Sequence, residues 1–131
     1  MSNTFRVVTI DVEGNVQVTE WDAQGSEQVS KHLQEAVGGW FDCVGLSESL
    51  DMWVNDDGIA LGLPVNVVAT GIAARFGLTH QPYWGPVVFT GGPDADGASR
   101  PLGDLMTKAV IFHAEAVKAS LFGVQVVPAT I

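Results

Sequence analysis

The chain is short of cysteine, of cations and of long apolar runs, and each shortage removes a class of answers. Cys43 is the one cysteine, so no internal disulfide can staple the fold. A lone thiol fits a reducing compartment. Only six residues are Lys or Arg, against fifteen acids. Phosphate contacts need clustered cations, so direct nucleic-acid binding is not expected. No stretch approaches the roughly 18 apolar residues that mark a membrane span. The start, Met1-Ser2-Asn3-Thr4-Phe5-Arg6, lacks the apolar core of a signal peptide. A soluble, cytosolic protein with no membrane contact is the expectation.

What is present points to one packed unit. At 131 residues and 13.9 kDa the chain has the size of a single domain. Hydrophobic residues make up 47% and charged ones 16%, with a mean hydropathy of +0.24. So little polar surface leaves apolar surface for a second subunit or another partner to cover. The net charge of −9 is unevenly placed. Residues 1–57 hold eleven acids and two bases, whereas residues 58–131 hold four of each. An acidic face can steer a basic protein partner or imitate a row of phosphates, and it also serves simple solubility.

Residue pattern divides the chain into short elements. Thr4 to Val12 and Val16 to Trp21 are β-branched or alternating and flank the turn Glu13-Gly14-Asn15, which predicts a hairpin. Ser26 is placed to cap a helix over Glu27 to Val37 that ends at Gly38-Gly39. Trp40 to Leu46 and Leu50 to Val54 predict two more strands. Asn55-Asp56-Asp57-Gly58 predicts a tight turn into a short strand, Ile59-Ala60-Leu61. Pro64 and Asn66 open a helix over Val67 to Phe76, which closes at Gly77.

A polar-aromatic loop follows over Leu78 to Trp84, then a buried strand within Gly85 to Gly91 and an exposed loop from Gly92 to Ser99. The longest helix is expected over Leu102 to Phe122, stopped by Gly123, with a last strand at Val124 to Val127. Met106, Val110, Ala114, Val117 and Leu121 form one apolar stripe of that helix, and Ile111, Phe112, Ala119 and Phe122 fall on another side. Such a helix should be buried on two sides. The order of elements lacks the regular alternation of a doubly wound fold. It predicts an α+β domain over 1–131, with a mainly antiparallel sheet, two shorter helices and a long C-terminal helical extension over 102–131.

Four motifs stand in order: Val37-Gly38-Gly39-Trp40, Val54-Asn55-Asp56-Asp57-Gly58, Gly62-Leu63-Pro64-Val65-Asn66-Val67-Val68-Ala69-Thr70 and Gly85-Pro86-Val87-Val88-Phe89-Thr90-Gly91. Over about residues 33–91 they make the chain resemble a family of bacteriophages and bacteria, actinobacteria among them: the domain of unknown function numbered 3846. The resemblance implies a phage or mobile-element setting. It implies no known activity and brings no catalytic residues with it.

Chemistry-bearing residues are sparse and scattered. His32, His80 and His113 are far apart, and none has a Cys, Asp or Glu at metal-ligand spacing. Asp94-x-Asp96-Gly97 opens like a calcium loop but lacks the later bidentate Glu, so a solvated turn is the ordinary reading. Cys43 lies mid-strand, where a buried, inert thiol is expected. Neither a G-x-S-x-G elbow nor a phosphate loop is present. Trp21, Trp40 and Trp53 are assigned to the core.

The sequence therefore predicts action by binding rather than catalysis, with no cofactor and no metal. The expected contact residues are His80, Tyr83 and Trp84 in the aromatic loop, Asp56 and Asp57 in the acidic turn, and Phe112 and Phe122 on the long helix. The expected partner is a host or phage protein, with self-association into a homodimer or other homo-oligomer through that helix. One form of this reading is an acidic DNA mimic. The competing readings are an enzyme with a small-molecule pocket, using Asp51, Asp57 or His80 as acid-base groups, and a purely structural oligomer.

Overall fold

The computed structural model describes residues 4–130, and side chains for residues 4–121. Eight elements follow one another: β1 Thr4–Ile10, β2 Val16–Asp22, α1 Gly25–Val37, β3 Phe41–Ser47, β4 Leu50–Asn55, α2 Val67–Arg75, β5 Val87–Thr90 and α3 Asp104–Thr130. The strands form one sheet in the order β2-β1-β5-β4-β3, and every pairing is antiparallel. This is the expected α+β architecture.

Helices cover both faces of the sheet. On one, Phe5, Val7, Trp21 and Val88 pack with Val29, Leu33 and Val37 of α1. On the other, Val8, Ile10, Met52, Val87 and Phe89 pack with α2 and α3 through Ile72, Val110, Ala114 and Val117. The four residues of β5 are all buried, which explains its unbroken apolar run at the centre of the sheet. Where α2 meets α3, a Cβ on Gly71 would come within 2.6 Å of a Val117 methyl. The glycine that weakens α2 as a helix is thus the one that lets α3 approach. Beside it, Arg75 Nε donates to His113 Nδ1 over 2.8 Å. Burial and the Arg75 charge hold the His113 pKa below its ordinary value.

Local signals fixed most boundaries, with four corrections. Helix α1 starts at Gly25, and Gln24, not Ser26, occupies its cap position. The positive φ of Gly25 lets the chain turn into the helix early, and the Gln28 side chain accepts from the Gln24 N–H. No strand forms at Ile59-Ala60-Leu61. Strand β4 is already paired on both edges, by β3 and β5, so it has no room for a further partner. Helix α3 runs through Gly123, because one interior glycine costs a helix only about 1 kcal/mol. The backbone of the expected strand Val124 to Val127 belongs to that helix.

Candidate interaction surface

Two buried asparagines organise one end of the molecule. Asn66 is fully buried; its Oδ1 accepts from Ala69 N–H at the start of α2, and its Nδ2 donates to the carbonyls of Ile10 and Gly85, each over 3.0 Å. One side chain thus caps α2 and ties it to the end of β1 and the approach to β5. The chain around it is pinned further: Asn66 N–H donates to Tyr83 O, Gly85 N–H to Pro64 O, and Tyr83 N–H to Thr70 Oγ1. Asn55, at the end of β4, donates from Nδ2 to Val37 O at the C-terminus of α1 and accepts the Asp57 N–H on Oδ1. It anchors the acidic turn to the helix end.

That turn winds on itself instead of forming a hairpin. Leu61 N–H donates to Asp57 O, Leu63 N–H to Gly58 O, and Asp56 N–H to Trp40 O. A Cβ on Gly58 would lie 3.1 Å from Cβ of Trp84 and 3.3 Å from its carbonyl oxygen, so the glycine admits the aromatic loop close against the turn. Between turn, loop and β3 lies a cleft of about 430 Å³, lined among others by Asp42, Asp56, Asp57, Ile59, Pro82 and Trp84.

The cleft is acidic, and its surroundings expose apolar groups. Asp42, Asp56 and Asp57 are exposed, and no cation pairs with any of them among the described residues. The described ion pairs all belong to Arg6, which bridges Glu20 and Asp104 elsewhere. Trp40 is 74% exposed and Ile59 69%, and Leu61 is exposed as well. Its place in a predicted strand makes Trp40 an expected core residue, and the structure corrects that. It stands one residue before β3 and alternates with Phe41, so it falls on the face away from α1 and misses the layer in which Trp21 is buried and Phe41 and Trp53 are half-buried. Its position directly after Gly38-Gly39 was the available signal.

The other expected contact residues divide. Asp56, Asp57 and Trp84 meet in this cleft. Tyr83 contributes to the cleft wall but is only 4% exposed and packs in the core, which removes it as a free-standing anchor. His80 is exposed and lines a neighbouring depression with Thr79 and Leu78. Phe112 is exposed on α3, away from the cleft lining. The Phe122 side chain lies outside the described residues.

A second cavity, about 410 Å³, leaves no mark in any local sequence pattern because five segments build it. Phe5, Leu33, Phe41 and Trp53 give it aromatic and aliphatic walls, and Ser26, Ser30 and Ser99 add hydroxyls. Trp53 is held there by donating Nε1–H to Thr90 Oγ1 over 2.8 Å and by an edge-on contact with Phe41.

The acid-base candidates do not converge. Asp51 is buried on β4, Asp57 sits in the turn and His80 in the loop, and no hydrogen bond or ion pair joins them. Cys43 is exposed, contrary to expectation, because β3 is an edge strand with a largely open pattern. Desolvation of the thiol, then the Asp51 carboxylate that accepts its hydrogen bond, push its pKa up to about 12. Such a thiol carries little thiolate at neutral pH and is a poor nucleophile. Among the described residues, no three His, Cys, Asp or Glu side chains are placed to share a metal ion. No helix among them is long and apolar enough to cross a membrane.

Comparison with known proteins gives one finding of kinship. The family model described as a domain of unknown function (DUF3846) matches residues 5–111, from β1 into the first turns of α3. No curated protein and no solved structure matches the chain.

Proposed function

The chain belongs to the DUF3846 family of unknown function, and from the arrangement of its surface we propose that it is an accessory protein that works by binding another protein. The partner carries a basic segment with an apolar or aromatic anchor. The anchor packs against Trp40 and Ile59 while Lys or Arg side chains enter the cleft of Asp42, Asp56 and Asp57. One observation carries this reading: two large, open apolar side chains beside three carboxylates that no cation among the described residues neutralises. Exposed Trp is costly to leave in water and favoured as an interface anchor, and unpaired carboxylates speed the approach of a basic surface. In the phage setting that the family resemblance implies, that partner is a host or phage protein. The excess of acids in residues 1–57 supports mimicry of a phosphate array as one form of the same activity.

The test is retention of partner protein from infected host lysate on the immobilised chain, compared with Trp40→Ala and with Asp56→Asn/Asp57→Asn. A basic protein held by the wild type, lost from both variants and released as salt rises from about 50 to 200 mM, is expected. Equal retention by all three, or retention indifferent to salt, refutes the reading. The cavity under α1 favours a second one, a site for a small aromatic molecule. A fragment that raises the melting temperature of the wild type but not of Leu33→Trp, which fills the space, would support it; no such fragment would count against it.

A further inference from the structure

Helix α3 buries one stripe and leaves a different one uncovered. Thr107, Val110, Ala114 and Val117 face α2 and the sheet and are buried. On the opposite side, positions 105, 109, 112, 116 and 119 recur at alternating intervals of four and three, the spacing of a coiled-coil seam. They are Leu105, Ala109, Phe112, Ala116 and Ala119. Leu105 is 83% exposed and Phe112 64%, with small residues between them that would let a second helix come close. Lys108 and Glu115 flank this seam on one side, one heptad apart.

We infer that this seam is the dimer interface of the protein, with α3 of one copy packed antiparallel on α3 of a second. The charges choose both the occupant and the direction. In an antiparallel pair the two flanks preceding each seam position face one another, so Lys108 meets Glu115 of the partner subunit and Glu115 meets Lys108 of the partner subunit. A two-fold axis near Phe112 makes the seam complementary to itself. In a parallel pair, Lys108 would instead face the flank that carries His113, and Glu115 the flank that carries Ser120, with no opposite charge to meet. The two Phe112 rings would fill the space left by the alanines at the crossing point. This surface lies apart from the acidic cleft, so a dimer presents two clefts, and the inference stands whether or not the cleft binds a protein.

Sedimentation equilibrium of the full chain tests it. The expected species is a dimer at twice 13.9 kDa. Phe112→Ser should weaken it by about a hundredfold, since each interface loses two central anchors. Because Phe112 is exposed in the single subunit, circular dichroism and the melting curve of the dissociated protein should remain those of a folded chain. Lys108→Glu and Glu115→Lys should each weaken self-association by roughly tenfold, by placing like charges opposite one another at two sites. Mixed together, the two single variants should pair with wild-type affinity, because every contact is again between opposite charges. A wild type that stays monomeric at high micromolar concentration overturns the proposal. So does a dimer indifferent to Phe112→Ser, or one whose charge variants are not rescued by mixing.

Discussion

Asn66 and Asn55 do the same local work in opposite surroundings. Each is a buried amide that joins three segments of chain, accepting a backbone N–H on its oxygen and donating from its nitrogen to a distant carbonyl. Around Asn66 the chain closes inward: β1, α2 and the Tyr83–Gly85 segment meet on its amide, which is fully buried although its chain neighbours Val65 and Val67 are exposed. Around Asn55 the chain turns outward and displays Asp56, Asp57, Ile59 and, through the bond from Asp56 N–H, Trp40. The lesson is that a buried, bonded asparagine in a recognisable motif says only that backbone must be held. Whether the held backbone forms core or contact surface depends on what it presents.

The contrast breaks most readily at Asn66. Asn66→Ala removes a helix cap and leaves the buried carbonyls of Ile10 and Gly85 without their donor. A cap is worth about 1 kcal/mol and each of the two orphaned buried carbonyls about 1–3, so urea unfolding should show a loss of about 3–7 kcal/mol. The fraction still folded should retain partner as well as the wild type does. Asn55→Ala loses two bonds at a half-open site, and about 1–2 kcal/mol is expected. Here the larger effect should be functional, since the turn that carries Asp56, Asp57 and Ile59 is no longer tied to α1. Should Asn55→Ala prove the more destabilising of the two, or leave partner retention intact, the distinction between sealed and displaying asparagines fails.

The same distinction marks what could be read from the sequence. The cap role of Asn66, the stop at Gly38-Gly39, the turn at Glu13 to Asn15 and the buried run of β5 were legible, because each depends on residues within a few positions. The acidic turn was legible as a turn, but its winding was not. That depended on β4 lying between two strands, a fact of sheet order. Trp40 and Tyr83 exchanged their expected places, one open and one buried, for a related reason. Aromatic character says that a side chain is worth burying, and only the packed neighbours decide whether it is. The seam on α3 could be seen as a second apolar side, yet Leu105 and its pairing with Phe112 through the alanines emerged only once the buried stripe was fixed.

Carboxylates follow the sealed-or-open division too, with a smaller effect that pH can resolve. Asp56 and Asp57 stand in water, whereas Asp51 is buried in β4 beside Cys43. Burial raises the Asp51 pKa above its ordinary 3.8, although the Cys43 hydrogen bond pulls it back in part. The folded chain therefore holds that proton more tightly than the unfolded chain does. Below the ordinary value both states are protonated and the group has no effect on stability. As pH rises through the raised folded pKa, keeping a charged Asp51 in place becomes a cost, fully present above that pKa. Asp51→Asn keeps the shape and an oxygen that can accept from Cys43 but removes the charge. It should be more resistant to urea than the wild type at pH 7, with the advantage fading to nothing near pH 3.5. The matching change at open positions, Asp56→Asn/Asp57→Asn, should give no such pH-dependent gain. An advantage for Asp51→Asn that persisted at low pH would place its origin in packing and not in the buried charge.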